Sequence, residues 1–400
     1  MLRPGTFALT ALLALLTGIG PFSVDMYLPS LPDIEHGLGA TAAQVQLTIS
    51  SYLVGFAVGG ILYGPVSDRY GRKPVLLAAM TLFGLASIAC LLSTSIEMLI
   101  VARALQSLGG CGAVVIARAV VRDLYSGAQA GRELSRIGAV MALAPVVAPL
   151  LGGVLQTAFG WRANFVVLVL FALVALGAVS FLLPETLRKQ PDEPFSLAAM
   201  ARSYGVVGRS AYFLAHMGLS ALSFAGLFAW ISVSAFVLQN LYGLPPALFA
   251  IAFAIGSGGY LVGTWIAAKM VTRLGLARML GVGSLTQAVG GIAMVLGLAL
   301  GLHWLFALVL PMAIYLAGMG MVLPQSAAGA LTPFPQRAGA ASSLLGLVQQ
   351  STAAICGAIV GALLGHSAWP MVAGVALAGG ATLILWIASR GVRAKPVPER

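Results

Sequence analysis

Twelve separate runs of about twenty to thirty mostly apolar residues leave this chain few ways to fold. A helix crossing about 30 Å of hydrocarbon needs roughly 20 such residues, and lipid offers no partner to an unsatisfied backbone amide. The runs fall near 7–29, 45–66, 74–93, 98–118, 133–158, 163–183, 210–238, 247–270, 276–299, 302–325, 338–364 and 368–389. Only 8% of the 400 residues are charged, against roughly 25% in soluble domains, so the pattern reads as an all-α membrane protein. The 49 glycines suit helices that approach closely in lipid. Cys90, Cys111 and Cys356 lie inside apolar runs, with neither metal-ligand spacing nor a disulfide framework. The first run follows a lone Arg3, exceeds a typical signal h-region and continues into DMYLPSLP, so no cleavable signal is expected.

Positively charged short loops stay on the cytoplasmic side. With the N-terminus inside, 20 of the 22 Lys and Arg residues fall in tails or inner loops: Arg3, Arg69, Arg72, Lys73, Arg118, Arg122, Arg132, Arg136, Arg188, Lys189, Arg202, Arg209, Lys269, Arg273, Arg278, Arg337, Arg390, Arg393, Lys395 and Arg400. Arg162 alone is outside, and Arg103 lies within a span. The net charge of +11 is therefore a topology signal facing an anionic leaflet, and no nucleic-acid partner is expected.

Residues 184–209, with three prolines and a run of charges, read as a cytoplasmic linker between halves 1–183 and 210–400, six spans each. An offset of 204 sets Arg69 on Arg273 and Gly71 on Gly275, both between the second and third spans of a half. That match is consistent with a duplicated architecture.

The strongest motif is GPVSDRYGRKPVL, residues 64–76, between spans 2 and 3. Its chemistry is that of a latch, or of an ordinary positive-inside loop. Gly64 and Gly71 allow a tight turn and close packing. Asp68 is an acceptor among Arg69, Arg72 and Lys73, and is able to cap a neighbouring helix N-terminus.

Residues 64–76 resemble the signature loop of the major facilitator superfamily. RALQSLG (103–109) is similar to that family's second signature, and GAVMALAPVVAPLLGG (138–153) resembles its antiporter signature, with Ala144-Pro145 where Gly-Pro is usual. In shared order, DMYLPSLP (25–32), YGPVSDRYGRKPV (63–75), VRDLY (121–125), GWRANF (160–165), PET (184–186) and AGAASSLLG (338–346) resemble the bicyclomycin-resistance subgroup of drug:proton antiporters. The resemblance implies two pseudo-symmetric six-helix bundles, alternating access and proton-driven efflux of small, chemically unlike antibiotics. It also implies that the position two turns before the span 1 acid, carboxylic in some drug antiporters, is near Thr17 here.

Asp25 and Arg103 are the acidic and the basic residue lying well inside the proposed spans. Intramembrane charges are functional hypotheses by default. Each sits five or six residues from an outer span end, about 8 Å deep at ~1.5 Å per residue, so the two are expected to face each other. One reading makes Asp25 the proton carrier, with Arg103 holding the charge balance; the other leaves Asp25 wet at the interface and Arg103 snorkelling outward.

In span 5, Pro145 and Pro149 each remove a backbone donor, and Gly152 and Gly153 permit close contact, a pattern suited to a hinge or to a static kink. Tyr52, Phe56 and Tyr63 line one face of span 2, and Phe224 and Phe228 one face of span 7. These stripes read as helix packing or as cavity wall. Gln106, Gln349 and Gln350 are further cavity candidates or interhelical hydrogen-bond partners. His216, His303 and His366, near span ends or outer loops, are assigned no coupling role.

No GxxxxGK[ST], HExxH or GxSxG motif occurs, so neither an ATP-driven pump nor enzyme chemistry is indicated. The partners expected are a small-molecule drug, protons and the lipid bilayer, with no cofactor, metal or obligate protein partner. A proton-coupled or facilitative importer or exporter of a metabolite is the alternative with the same fold.

Overall fold

The computed structural model describes residues 6–125, 127–187, 197–302 and 305–393. Arg3, Arg188, Lys189, Lys395, Arg400 and His303 lie outside them. Contacts divide the chain into two compact units, Met1–Phe195 and Ser196–Arg400.

In the first unit the helices are α1 (Phe7–Asp25), α2 (Leu31–Gly37), α3 (Ala42–Tyr70), α4 (Arg72–Leu91), α5 (Ile96–Leu124), α6 (Gly127–Phe159) and α7 (Arg162–Leu182). The second holds α8 (Leu197–Gly208), α9 (Ala211–Ala235), α10 (Pro246–Leu274), α11 (Leu276–Ala299), α12 (Leu305–Leu331), α13 (Ala338–Leu363), α14 (Trp369–Ala388) and the short α15 (Arg390–Arg393). Among the described residues, twelve helical stretches are long and apolar enough to cross a membrane.

Local chemistry sets several starts. Thr41 and Gln44 form a capping box on α3, and Ser95 and Ser210 accept from the third amide of α5 and α9. Each such cap contributes about 1 kcal/mol by satisfying an orphan donor.

Both units are built on one plan. In the first, α5 packs on α3, α4 and α1, α4 on α7, and α1 on α6. In the second, α12 packs on α10, α11 and α9, α11 on α14, and α9 on α13. The left-handed glycines repeat it as well: Gly39 and Gly243 are 204 apart, as are Gly71 and Gly275, while Gly160 and Gly365 are 205 apart.

Three expectations change. Span 1 does not end near residue 29: α1 stops at Asp25, a 3₁₀ turn covers Leu28–Ser30, and α2 carries the path to Gly37. Pro29 has no amide to give the carbonyl of Asp25, nor Pro32 to that of Leu28, so a continuous α-helix is denied there. Span 7 runs through a π-helical turn, Phe236–Leu241. Part of the 184–209 linker is ordered as α8, whose Val207 is buried with Phe213, Ala330, Ala341 and Leu345.

Candidate functional site

Arg103, in the second turn of α5, is fully buried. Its guanidinium lies 4.7 Å from the ring centre of Tyr27 and 4.4 Å from that of Tyr52. Its Nη1 donates to Gln106 Oε1 at 2.5 Å, and Gln106 Nε2 donates to Ser87 Oγ on α4 at 2.7 Å. Nε and Nη2 find no hydrogen-bond partner. Two aromatic faces are each worth about 2 kcal/mol to a desolvated cation, which replaces part of the lost hydration. The snorkelling reading of Arg103 is thereby overturned.

Asp25, only 5% exposed, closes α1 where the helix gives way to the 3₁₀ turn. The expected depth of about 8 Å assumed a span ending near residue 29; the helical path continues to Gly37. Among the described residues the ion pairs are Arg72–Asp68, Arg72–Asp123 and Arg136–Glu133. Asp25 and Arg103 are therefore not ion-paired. The neighbouring turn is held by two of the motif fragments: Asn164 Nδ2 donates to Ser30 Oγ at 2.8 Å, and Phe165 packs on Tyr27 with ring centres 5.6 Å apart. Tyr27 also shares a hydrogen bond with Thr48 at 3.0 Å.

Gly152 of α6 seats against the carbonyl of Met26, so close that a Cβ would overlap it. On either side of this seat α6 is tied to α1, by Thr10 Oγ1 to Glu133 Oε2 at 2.8 Å, and to α2, by Gln156 Nε2 to Asp33 Oδ2 at 2.9 Å. Pro145 and Pro149 lie within one unbroken α6, and Gly153 accepts from Thr157 Oγ1.

A second cluster gathers 20 residues along α5 from Arg103, about 30 Å away. Arg72 Nε and Nη2 reach the two oxygens of Asp123 at 2.8 and 3.4 Å, and its Nη1 reaches Ser67 Oγ at 2.8 Å and Asp68. Glu185 accepts backbone amides from Arg72 and Lys73 at 3.0 and 3.1 Å, and from Thr186 and Leu187 at 2.8 and 2.9 Å. Lys73 Nζ donates to Ser180 O, and Thr186 Oγ1 to Asp123 Oδ2. The cap on α4 is thus Glu185, not Asp68, which pairs with Arg72 instead. Gly71 holds φ at +95°, with Glu185 Oε2 at 2.6 Å from an added Cβ; Gly64 has nothing within 4 Å and so makes no close packing. Arg69 is exposed beside the Tyr70 ring.

Other candidates disperse. Both amide atoms of Gln106 are engaged by Arg103 and Ser87, so it is a holder of Arg103 and not a free cavity wall. Tyr52 belongs to the Arg103 site, and Phe56 stacks on it at 6.5 Å. Phe224 and Phe228 pack on each other at 4.9 Å, while Gln349 and Gln350 are half-buried on α13. Thr17 returns its hydroxyl to the carbonyls of Leu13 and Ala14. Asp123, Glu185, Ser87 and Glu133 are not singled out by the sequence as individual residues. The first two lie inside VRDLY and PET, so the fragments carried the signal without the pairing.

Two like units of six apolar spans each, with a charged cluster at the loop between the second and third spans, define a polytopic membrane protein of the transporter type. The chain belongs to the Major Facilitator Superfamily, whose family model matches residues 13–356. It is similar to a bicyclomycin resistance protein homolog of Haemophilus influenzae, 33% identical over 92% of each chain. It is also 30% identical to multidrug resistance protein D of Escherichia coli strain K12, over 87% of each. Among solved structures, it matches a D-xylose-proton symporter with a TM-score of 0.74 at 17% identity over 98% of both chains. A peptide transporter of the POT type gives 0.77 at 16% over 96% of this chain and 94% of that one. At these identities the structural likeness is one of fold.

Proposed function

We propose that this multi-pass protein exports small drug molecules across the bacterial inner membrane in exchange for protons, by alternating access between halves 1–183 and 210–400. Relatives named for bicyclomycin and multidrug resistance support the cargo class. The excess of Lys and Arg in alternate loops supports cytoplasmic termini.

The observation that carries the coupling is an enclosed carboxylate, Asp25, without an ion-pair partner at the break in α1. A carboxylate so placed holds its charge only at a desolvation cost, and its protonation follows what surrounds it. Asp25 takes a proton when the site faces outward and gives it up inside. Arg103, fixed between Tyr27 and Tyr52, keeps a positive charge in the same bundle throughout. The Arg72–Asp123–Glu185 cluster latches α4 to α5 and to the chain after α7, and α6 rides on the α1 break through Gly152.

Inside-out vesicles under an imposed pH gradient test this reading. Bicyclomycin or a phenicol-type drug is expected to evoke proton movement in wild type and none in Asp25→Asn at equal protein. Full coupling in Asp25→Asn removes Asp25 from the mechanism. No drug-evoked proton movement in wild type favours a metabolite carrier.

A further inference from the structure

The two units share a plan but not a charge balance. Of the 11 acidic residues, only Glu399 lies after residue 195, alongside ten Lys and Arg. Among the described residues every ion pair lies in the first unit. The cations of the second unit have no carboxylate of their own among its described residues.

Three of them converge. Arg278 on the first turn of α11, with Arg390 and Arg393 on α15, lines a cavity of about 250 Å³ together with Ala277 and Trp386. Trp386 anchors the wall: its Nε1 donates to Ala277 O at 3.2 Å, and Gly281 lets the ring lie against α11. Arg390 and Arg393 stand 5.0 and 5.7 Å from its ring centre. Arg393 is oriented by bonds to Ser389 Oγ and Trp386 O. Burial holds the Arg393 guanidinium below its ordinary pKa, with a smaller contribution in the same direction from the neighbouring Arg390 and an opposing one from Tyr212.

The duplicated plan shows what is missing. In the first unit, Glu185 supplies a carboxylate to the opening amides of α4. The residue 204 positions on is Ser389, which has no carboxylate to offer α11 and whose hydroxyl turns back to Leu385 O.

We propose that this cavity binds the phosphate headgroup of an anionic phospholipid, which supplies from the bilayer the negative charge that Glu185 supplies in the first unit. Its walls are the ends of two spans, the depth of a headgroup, and tryptophan and arginine are the residues that settle at that depth. Basic pockets between spans take acidic headgroups, and the volume lies below the roughly 300–1,000 Å³ of drug-sized pockets.

Native mass spectrometry of the purified full chain with phosphatidylglycerol or phosphatidylcholine tests the site. Wild type is expected to retain phosphatidylglycerol preferentially, losing about fivefold in affinity per arginine removed and on the order of a hundredfold in Arg278→Ala/Arg390→Ala/Arg393→Ala. The triple lysine variant is expected to retain most of the binding, which separates lost charge from lost fold, and Arg273→Ala, outside the cavity, to match wild type. Equal retention in wild type and the triple alanine variant overturns the proposal, as does equal binding of phosphatidylcholine. Displacement of the lipid by millimolar inorganic phosphate overturns the lipid assignment in favour of a free anion.

Discussion

Gly64 and Gly71 stand seven positions apart in one motif under opposite constraints. Gly71→Ala meets both a left-handed backbone and the Glu185 carboxylate; it is expected to lower the melting temperature in detergent, at a cost of about 1–3 kcal/mol. Gly64→Ala meets open space within a helix and is expected to be neutral or stabilising by up to about 1 kcal/mol. Equal effects of the two remove the conformational argument. Arg103→Lys keeps the charge but loses the planar group lying between two rings and the bond to Gln106. It is expected to destabilise by about 1–3 kcal/mol, read in the same melts, and to impair drug-evoked proton movement. The intramembrane positions of Asp25 and Arg103 were legible as charges inside apolar runs. The aromatic clamp was not, because which face of span 1 or span 2 meets span 4 depends on tertiary packing that no local pattern records.

The break in α1 and the seat of α6 upon it are packed together through Gly152 and the Met26 carbonyl. Pro29→Ala restores an amide for the carbonyl of Asp25, so α1 is expected to run on and carry Asp25 to another azimuth. Transport in vesicles should fall while the protein still accumulates in the membrane. Gly152→Val forces a side chain into the Met26 carbonyl, an overpacking of about 1–3 kcal/mol or more; transport is expected to be lost, whereas Pro145→Ala, within an unbroken helix, should have the milder effect. Apolar length located all twelve spans, yet it missed the extension to Gly37, the π turn at Phe236–Leu241 and helix α8. The extension follows from two prolines and α8 docks through one buried valine, neither of which alters the length of an apolar run, while nothing in the structure explains the π turn.

Across the whole chain, the 204-residue offset read from two matched positions recurs in helix starts, backbone glycines and packing partners. A duplicated six-span plan puts the loops after spans 2 and 8 on the same side of the membrane. With the three native cysteines replaced, Arg69→Cys and Arg273→Cys are expected to react with an impermeant thiol reagent only from the cytoplasm, and His366→Cys only from outside. Labelling of the first two from opposite sides defeats the topology. The charge cluster was half legible: Arg72 and Asp68 stood in the motif, while Asp123 and Glu185 lie 51 and 113 residues from Arg72, beyond any local spacing. Glu185 has a second place in the molecule, since the chain it caps with leads directly toward residue 188 and the second unit. The capping bonds and the tether between units are therefore wired in series, like a fuse ahead of a cable. A load entering the first unit from that direction meets the bonds of Leu187 and Thr186 first, and only then the Glu185 cap on the amides of Arg72 and Lys73.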